Sequence, residues 1–170
     1  MSPADHAPEL ERLHSAAFGW ALSCCGWERT AAEDVLQASY LKLLDGRARF
    51  DGRSSFRTFL FGVIARTARE ARRQATLRRW LPLAALLLGP EVTDGRPDPA
   101  TALARDDEAA RLLRALARLP PRQRQVLHLV FYEDLSIAQA ADVMGVSLGT
   151  ARTHYARGKA ALRELLEDEA

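Results

Sequence analysis

Cysteine is nearly absent from the 170-residue chain, which has only two, Cys24 and Cys25, side by side. Adjacent residues cannot form an ordinary disulfide, so no disulfide framework holds this fold and a reducing compartment fits it. A metal site built from His14, Cys24 and Cys25 would have no recognised ligand spacing. We therefore expect no metal ion and interpret the two cysteines as small buried side chains.

Aromatic residues are also scarce, at 7% of the chain, and β-branched residues are few. Alanine, leucine and arginine dominate instead, and these residues favour helices over strands. With 48% hydrophobic residues the chain can bury a core, and its 8 prolines and 10 glycines are too few for disorder throughout. The composition therefore predicts an all-α fold of one or two small domains.

Long hydrophobic runs are missing as well, because the longest, Trp80–Leu88, is far too short to span a bilayer. Acidic residues at positions 5, 9 and 11 stand where a signal peptide needs a basic and then an apolar run. We also find no Gly-rich phosphate loop, no zinc-ligand spacing and no nucleophile–base set. The sequence thus predicts a cytoplasmic protein that is not an enzyme and needs no cofactor.

Charge is unevenly distributed, although the formal net charge is only +2. Residues 1–45 carry 7 acidic and 3 basic side chains, whereas residues 46–79 carry 10 arginines and 2 acidic side chains. The basic block suggests a polyanionic partner, and the acidic block suggests a different one.

The most informative segment is Ser136–Leu162, which has the pattern of two short helices joined by a tight turn. Ser136 and Gln139 have capping-box spacing, and Gly145 can take the left-handed conformation that ends a helix. Ser147 then caps a second helix whose outer face is basic and rich in hydroxyl groups. This pattern is typical of a helix-turn-helix that enters the major groove of DNA. The alternative is an αα-hairpin in some other helical core.

Two amphipathic helices are predicted in the first 45 residues. The first covers Glu9–Cys25 and stops at Gly26, and the second opens at Thr30, where Glu33 gives capping-box spacing. This second helix is apolar on two sides, and we predict that it packs on the core and on a partner protein. Its apolar residues are Val35, Leu36, Tyr40, Leu41, Leu43 and Leu44.

A third, strongly basic helix is predicted from Phe56 to about Leu77, capped by Ser54 or Ser55. Its apolar residues recur on one face, and its arginines lie largely on the others. The arginines could simply form a solvated face of a core helix. Because the chain also carries a helix-turn-helix, we favour a helix that contacts nucleic acid.

Prolines and glycines break the helical pattern between residues 78 and 101, which predicts a flexible linker. A further helix begins at Asp106 or Asp107, and the next starts at the pair Pro120–Pro121. We therefore predict two small helical domains, residues 1–79 and 105–170, joined by a linker at residues 80–104.

Three stretches in order resemble bacterial RNA polymerase sigma factors of the extracytoplasmic-function (ECF) type. The helix that docks on the polymerase clamp is matched by residues 31–44, AAEDVLQASYLKLL. The segment that melts and reads the minus-ten promoter element is matched by residues 49–73, RFDGRSSFRTFLFGVIARTAREARR. The domain that reads the minus-thirty-five element is matched by residues 119–165, which include the helix-turn-helix. The ordered trio is far more specific than one helix-turn-helix alone.

The resemblance implies that core RNA polymerase and promoter DNA are partners, and that the protein has no catalytic residues. The polymerase clamp would be bound by Glu33, Asp34, Leu36, Gln37 and Tyr40. The minus-ten element would be opened and read by Arg53, Ser54, Phe56, Arg57, Phe59, Arg66, Arg69 and Arg73. The minus-thirty-five element would be contacted by Thr150, Arg152, Thr153, His154 and Arg157, with backbone contacts from Arg122 and Arg124.

The chain departs from the family pattern in places. Phe59 stands where the family usually has Trp, which keeps an aromatic ring but changes its edge. Ala38 stands where an acidic residue is usual, so we expect a weaker clamp contact. The linker stretch WLPLAALLL (80–88) is more apolar than a segment that threads a polymerase channel should be. We hypothesise that an anti-sigma factor buries this stretch and holds the protein inactive. A short helix packed on either domain is the alternative.

A stand-alone helix-turn-helix regulator with an N-terminal sensing or dimerising domain is the competing function. Such a regulator needs a self-association surface, but it does not need a second basic helix ahead of a linker. The sequence therefore favours a promoter-specificity subunit, whose two weak DNA-binding domains gain affinity from being joined.

Overall fold

The computed structural model describes residues 6–80 and 107–168, and within these ranges it contains helices and no strand. The prediction of an all-α fold is confirmed. The predicted linker lies, apart from its first residue, outside the described ranges. The helices are α1 (Ala7–Cys24), α2 (Arg29–Leu44), α3 (Phe56–Trp80), α4 (Asp107–Arg118), α5 (Pro121–Phe131), α6 (Ile137–Met144) and α7 (Leu148–Asp168).

Helices α1, α2 and α3 contact one another in all three pairings. Trp20 on α1 is completely buried, and its indole Nε1 donates a hydrogen bond to the Phe61 carbonyl oxygen on α3 at 3.0 Å. Helix α3 begins at Phe56 because the Ser55 hydroxyl accepts the backbone N–H of Thr58 at 3.1 Å. Of the two predicted caps, Ser54 and Ser55, the structure therefore shows Ser55 as the cap.

The capping box predicted for Thr30 and Glu33 does not form. Helix α2 begins one residue earlier, at Arg29, and no side chain caps it. The Glu33 carboxylate instead accepts a hydrogen bond from Arg29 Nε at 2.8 Å, as an ion pair between residues four apart. Because this cation holds the carboxylate along the helix, Glu33 does not turn back to the backbone.

Helices α6 and α7 form the predicted helix-turn-helix. Ser136 Oγ accepts the backbone N–H of Gln139 at 3.2 Å, and Gln139 Oε1 accepts the backbone N–H of Ser136 at 2.8 Å. Gly145 ends α6 with φ of 64°, in the left-handed region that glycine enters without strain. Ser147 Oγ then accepts the backbone N–H of Thr150 at 3.1 Å. All three predicted signals at this motif are confirmed.

The groups α1–α3 and α4–α7 pack against each other, because α3 contacts α6 and α1 contacts α5. One hydrophobic cluster spans both groups; its members include Trp20, Phe61, Ile64, Ala68, Val126, Leu129, Val143 and Met144. A second, smaller cluster belongs to the α4–α7 group and contains Leu116, Leu119 and Leu127. The side of α3 that packs on α6 is therefore part of the main core.

Candidate promoter and polymerase interfaces

The exposed side of α7 carries the residues predicted to contact DNA. Thr150, Arg152, Thr153 and Arg157 are exposed, and His154 is half-buried. At about 100° per residue, Thr153 and Arg157 lie near the middle of this side, with His154 at one edge and Arg152 at the other. The structure thus places all five residues on the exposed side of α7, with Arg152 and His154 at its opposite edges.

The residues predicted for the minus-ten element divide between two sides of α3 and the loop before it. Phe59, Arg66 and Arg73 are spaced by seven residues and share one side, on which both arginines are exposed. In the loop, Arg53 pairs with its neighbour Asp51 at 3.2 Å, and Ser54 is exposed. We name the side with Arg66 and Arg73 the free side of α3.

Arg57 and Arg69 lie away from the free side and contact the α4–α7 group. Arg57 Nη2 donates a hydrogen bond to the buried carboxylate of Glu133, in the turn between α5 and α6. Arg69 Nη1 donates to the carbonyl oxygen of Met144, the last residue of α6, at 3.4 Å. The predicted minus-ten set therefore does not form one surface in this structure.

Glu133 is held ionised although it is buried. Burial alone raises the pKa of its carboxyl group, but the contacts with His128 and Arg57 outweigh burial and leave the pKa below its ordinary value. The Nε2 atom of His128 lies 3.4 Å from Glu133 Oε1. This buried carboxylate therefore has Arg57 and His128 as its two partners, one from each group of helices.

A cluster of aromatic rings covers the start of α3. The ring centroid of Phe50 lies 5.5 Å from that of Phe56 and 5.3 Å from that of Phe59. His6 stacks on Phe56 with the centroids 4.6 Å apart. Phe56 is buried and Phe59 is half-buried, so Phe59 offers the more open ring for stacking with an unpaired base. Sequence reasoning did not place His6 or Phe50 in this cluster. The available signal was an aromatic residue, Phe50, in the basic loop that precedes α3.

A groove of about 680 Å³ runs between α1 and α2, and it contains all five residues predicted to bind the polymerase clamp. Leu36 is buried at its base, and burial raises the pKa of the Tyr40 hydroxyl, which lies 3.2 Å from His14 Nδ1. Sequence reasoning missed three further lining residues, His14, Phe18 and Arg29. The other two, Leu41 and Leu44, were predicted as apolar residues of this helix but not as part of the clamp set.

The two leucines at the end of α2 explain the predicted second apolar side of this helix. Leu41 is 53% exposed and Leu44 is 50% exposed, whereas Val35 and Leu43 on the other side are buried. Helix α2 therefore packs its first side on the core and leaves the second side open at an acidic edge formed by Glu33 and Asp34.

Arginines cap the carboxyl ends of several helices. Arg122 Nη1 and Arg69 Nη1 each lie 3.4 Å from the Met144 carbonyl oxygen, where a helix dipole favours cations. Arg72 donates to the carbonyl oxygen of Cys24, the last residue of α1, at 2.7 Å. Arg124 is buried, and burial lowers the pKa of its guanidinium group. The DNA contact predicted for Arg124 is therefore wrong, because this side chain bonds carbonyl groups inside the protein.

Both cysteines are free. Cys24 is buried as predicted, whereas Cys25 is only half-buried. Cys24 is buried, which raises its pKa far above the ordinary value, and burial raises the pKa of Cys25 to about 11. Both groups are therefore protonated thiols at neutral pH, and neither is a reactive thiolate.

Two further observations concern residues 6–80 and 107–168. No group of three or more His, Cys, Asp or Glu side chains in these ranges could hold a metal ion. None of the helices described there is both long enough and apolar enough to cross a membrane.

Comparison with known proteins identifies the family. The family model Sigma-70 region 2 matches residues 10–78, and the model Sigma-70, region 4 matches residues 109–162. RNA polymerase sigma factor CarQ of Myxococcus xanthus is 32% identical over 138 residues, which cover 79% of this chain and 74% of CarQ. ECF RNA polymerase sigma factor SigF of Caulobacter vibrioides is 33% identical over 132 residues, which cover 78% of this chain and 69% of SigF. This chain belongs to the ECF RNA polymerase sigma factors.

Solved structures show the same fold. The sigma factor RpoE, in complex with the anti-sigma factor NepR from Bartonella quintana, aligns with a TM-score of 0.71 at 22% identity, covering 96% of this chain and 97% of RpoE. CnrH, in complex with the cytosolic domain of CnrY, aligns with a TM-score of 0.62 at 24% identity, covering 96% of this chain and 88% of CnrH. In the terms of the family, region 2 of this sigma factor contains α1–α3 and region 4 contains α4–α7.

The family also decides between the two functions that the sequence left open. A sigma factor is a transcription initiation factor that binds core RNA polymerase and directs it to promoters, so the stand-alone regulator is excluded.

Proposed function

We propose that this sigma factor binds core RNA polymerase through the groove between α1 and α2. The observation that carries this proposal is the pair of half-exposed leucines, Leu41 and Leu44, beside the acidic edge of Glu33 and Asp34. An apolar groove suits a protein partner better than DNA, and its edge remains net negative because Arg29 pairs with Glu33 while Asp34 adds a second carboxylate. The groove is also separate from the free side of α3 and from the exposed side of α7.

Replacing both leucines by serine tests the polymerase contact. We expect Leu41→Ser with Leu44→Ser to weaken binding to core polymerase about tenfold, because two apolar side chains lose their burial on docking. The matched control is Leu77→Ser on α3, which is 61% exposed and lies outside the groove. Titration of labelled core polymerase measures the affinity. Equal affinities for the two variants would place the polymerase contact elsewhere.

At the minus-ten element, we propose that Arg66 and Arg73 bind phosphates while Phe59 stacks on an unpaired base. An extruded base needs an aromatic surface, and the strand around it needs nearby cations. For Arg53, Ser54, Phe56, Arg57 and Arg69 the contact with the minus-ten element stays a prediction, since Phe56 is buried and Arg57 and Arg69 lie against region 4.

At the minus-thirty-five element, we propose that α7 lies in the major groove with Thr150, Thr153 and His154 toward the bases. Arg152 and Arg157 then reach the phosphates or base edges at the two sides of the helix. Each interaction of this kind contributes about 1–3 kcal/mol when it is well formed.

Single alanine substitutions test this assignment. In the holoenzyme, Arg152→Ala and Arg157→Ala should each weaken promoter binding roughly tenfold without lowering the unfolding temperature, because both side chains are exposed. Arg163→Ala is the control, since Arg163 is also exposed on α7 but lies further from its amino end. Promoter binding is measured by electrophoretic mobility shift. If both variants initiate normally, a different surface of region 4 contacts DNA.

We further propose the division into domains at residues 1–79 and 105–170, with the linker 80–104 between them. The protein acts in the cytoplasm and has no catalytic activity of its own.

An anti-sigma factor holds it inactive and buries the apolar stretch of the linker. In support of this last step, the fold is shared with two sigma factors, RpoE and CnrH, whose solved structures are the complexes with NepR and with the cytosolic domain of CnrY. Deleting residues 83–88 should weaken inhibitor binding, and unchanged affinity would refute the linker's role.

A further inference from the structure

We propose that Arg69, Arg72 and Arg122 form a binding site for a small anion that carries a diphosphate or triphosphate group. The three guanidinium groups lie at the carboxyl ends of α1 and α6. Arg69 and Arg72 belong to α3, and Arg122 belongs to α5. The site is separate from the groove between α1 and α2 and from the exposed side of α7, so it does not depend on the contacts proposed there.

The three guanidinium groups are close enough to repel one another. Arg69 Nη1 and Arg122 Nη1 share one acceptor, the carbonyl oxygen of Met144, each at 3.4 Å. Arg72 Nη2 donates to the carbonyl oxygen of Cys24 at 2.7 Å. Burial, and then the like charges of Arg69 and Arg72, lower the pKa of the Arg122 guanidinium. Cations from two groups of helices are therefore concentrated at one place.

No carboxylate within residues 6–80 and 107–168 forms an ion pair with any of the three arginines. Glu28, which lies near Cys25, and Asp142 on α6 do not pair with them, and the thiol of Cys24 is protonated and uncharged. Other arginines of the same ranges do pair with acidic side chains; these are Arg12, Arg29, Arg47, Arg53 and Arg57. The cluster is therefore left without a counter-charge from a side chain of the described residues.

The helix ends neutralise only part of this positive charge. Each helix carries about half a negative elementary charge at its carboxyl end, so α1 and α6 together offset about one of the three guanidinium charges. Arg124 lies near Arg72 and bonds carbonyl groups at the end of α4, so it does not reduce the excess. Half-buried charges without a counter-ion are unfavourable. A diphosphate or triphosphate group carries enough negative charge to balance the remaining two or so, whereas a single carboxylate does not.

The arginines also keep donors for a ligand. A guanidinium group has five N–H donors in a planar fork that matches phosphate oxygens, and each carbonyl contact above uses one nitrogen atom. Arg72 is exposed, and Arg69 and Arg122 are half-buried, so a ligand can reach them from solvent. Gly145 keeps space beside Arg69, because a Cβ atom there would lie 3.3 Å from Arg69 Nη2.

A small anion suits this place better than a DNA strand. Helix α3 packs on α6, and Arg69 and Arg122 are half-buried where the two groups of helices meet. A duplex cannot enter there, but a chain of two or three phosphates can. The arginines on the free side of α3, in contrast, are fully open to a nucleic acid.

Calorimetric titration of the full-length chain with sodium pyrophosphate, at constant ionic strength, tests the site. We expect one saturable site in the wild type and a higher unfolding temperature when pyrophosphate is present. Arg72→Gln should weaken binding about tenfold, because a charged bidentate donor is lost. The matched control is Arg73→Gln, which removes the same charge from the next residue, on the free side of α3, and should leave the affinity unchanged.

A second variant keeps the test valid if Arg72→Gln fails to fold. Arg122→Gln should weaken binding by a similar factor, because the site takes donors from both α3 and α5. The proposal is overturned if pyrophosphate does not saturate a site, or if Arg73→Gln weakens binding as much as the two site variants do.

Other ligands identify the source of the phosphates. If ADP without magnesium binds more tightly than pyrophosphate, the ligand is a nucleotide; if it binds equally or more weakly, the diphosphate group alone is recognised. Both results support the site. Orthophosphate that binds as tightly as pyrophosphate would overturn the assignment to a diphosphate. A single-stranded oligonucleotide that displaces pyrophosphate would also overturn it, since the arginines would then serve DNA.

Discussion

The indole N–H groups of two tryptophans differ in their hydrogen bonding. Trp20 Nε1 has a partner, the Phe61 carbonyl oxygen, whereas Trp27 Nε1 is buried without a hydrogen-bond partner. Substitution by phenylalanine therefore has different consequences at the two positions. At Trp20 it removes an N–H group that donates a hydrogen bond between α1 and α3. At Trp27 it removes an N–H group that has no hydrogen-bond partner.

This difference gives a prediction at the scale of one residue. Trp20→Phe should lower the free energy of unfolding by about 1–3 kcal/mol, because it leaves a hole and takes a donor from a buried carbonyl group. Trp27→Phe, the matched substitution, should cost clearly less, since it relieves a buried donor that has no partner. Urea denaturation followed by circular dichroism measures both. A larger loss at Trp27 would mean that its indole is bonded in solution.

Individual helices were largely predictable from sequence, because their signals are local. The capping box of Ser136 with Gln139 and the left-handed Gly145 depend on residues within one turn, and both were predicted. The same spacing failed at Thr30 and Glu33, because Arg29 offered the carboxylate a stronger partner one turn away. A capping motif is therefore decided by the charges beside it as well as by its spacing.

The packing of α6 leads to a prediction at the scale of the element. Ala141 is buried where α6 meets its neighbours, so Ala141→Leu should overpack this contact and lower the free energy of unfolding by about 1–3 kcal/mol. Ala138→Leu makes the same change at an exposed position of the same helix and should be nearly neutral. Thermal unfolding of the two variants is the measurement. Similar melting temperatures would contradict the observed orientation of α6.

At the scale of the whole molecule, the sequence predicted which surfaces exist but not how they are arranged. The exposed face of α7 follows from helical periodicity, and the two-sided pattern of α2 pointed to a partner. The contact of Arg57 with Glu133 joins residues 76 apart in sequence, and neither residue carries a local sign of the other. Periodicity placed the arginines of α3 away from its apolar face, and the resemblance assigned a single set of them to the minus-ten element. In the structure two members of that set, Arg57 and Arg69, instead contact region 4.

Because one hydrophobic cluster spans both regions, a cavity created in region 4 should also destabilise region 2. Met144→Ala removes a fully buried side chain from the shared cluster, whereas Leu116→Ala removes one from the smaller cluster of region 4. Both changes should lower the free energy of unfolding of region 4 by about 2–5 kcal/mol. Only Met144→Ala should also increase hydrogen exchange at the amides of α3, because it weakens the packing of α6 against α3. Equal exchange of α3 in the two variants would show that the regions unfold independently, and that the shared cluster contributes little to the stability of region 2.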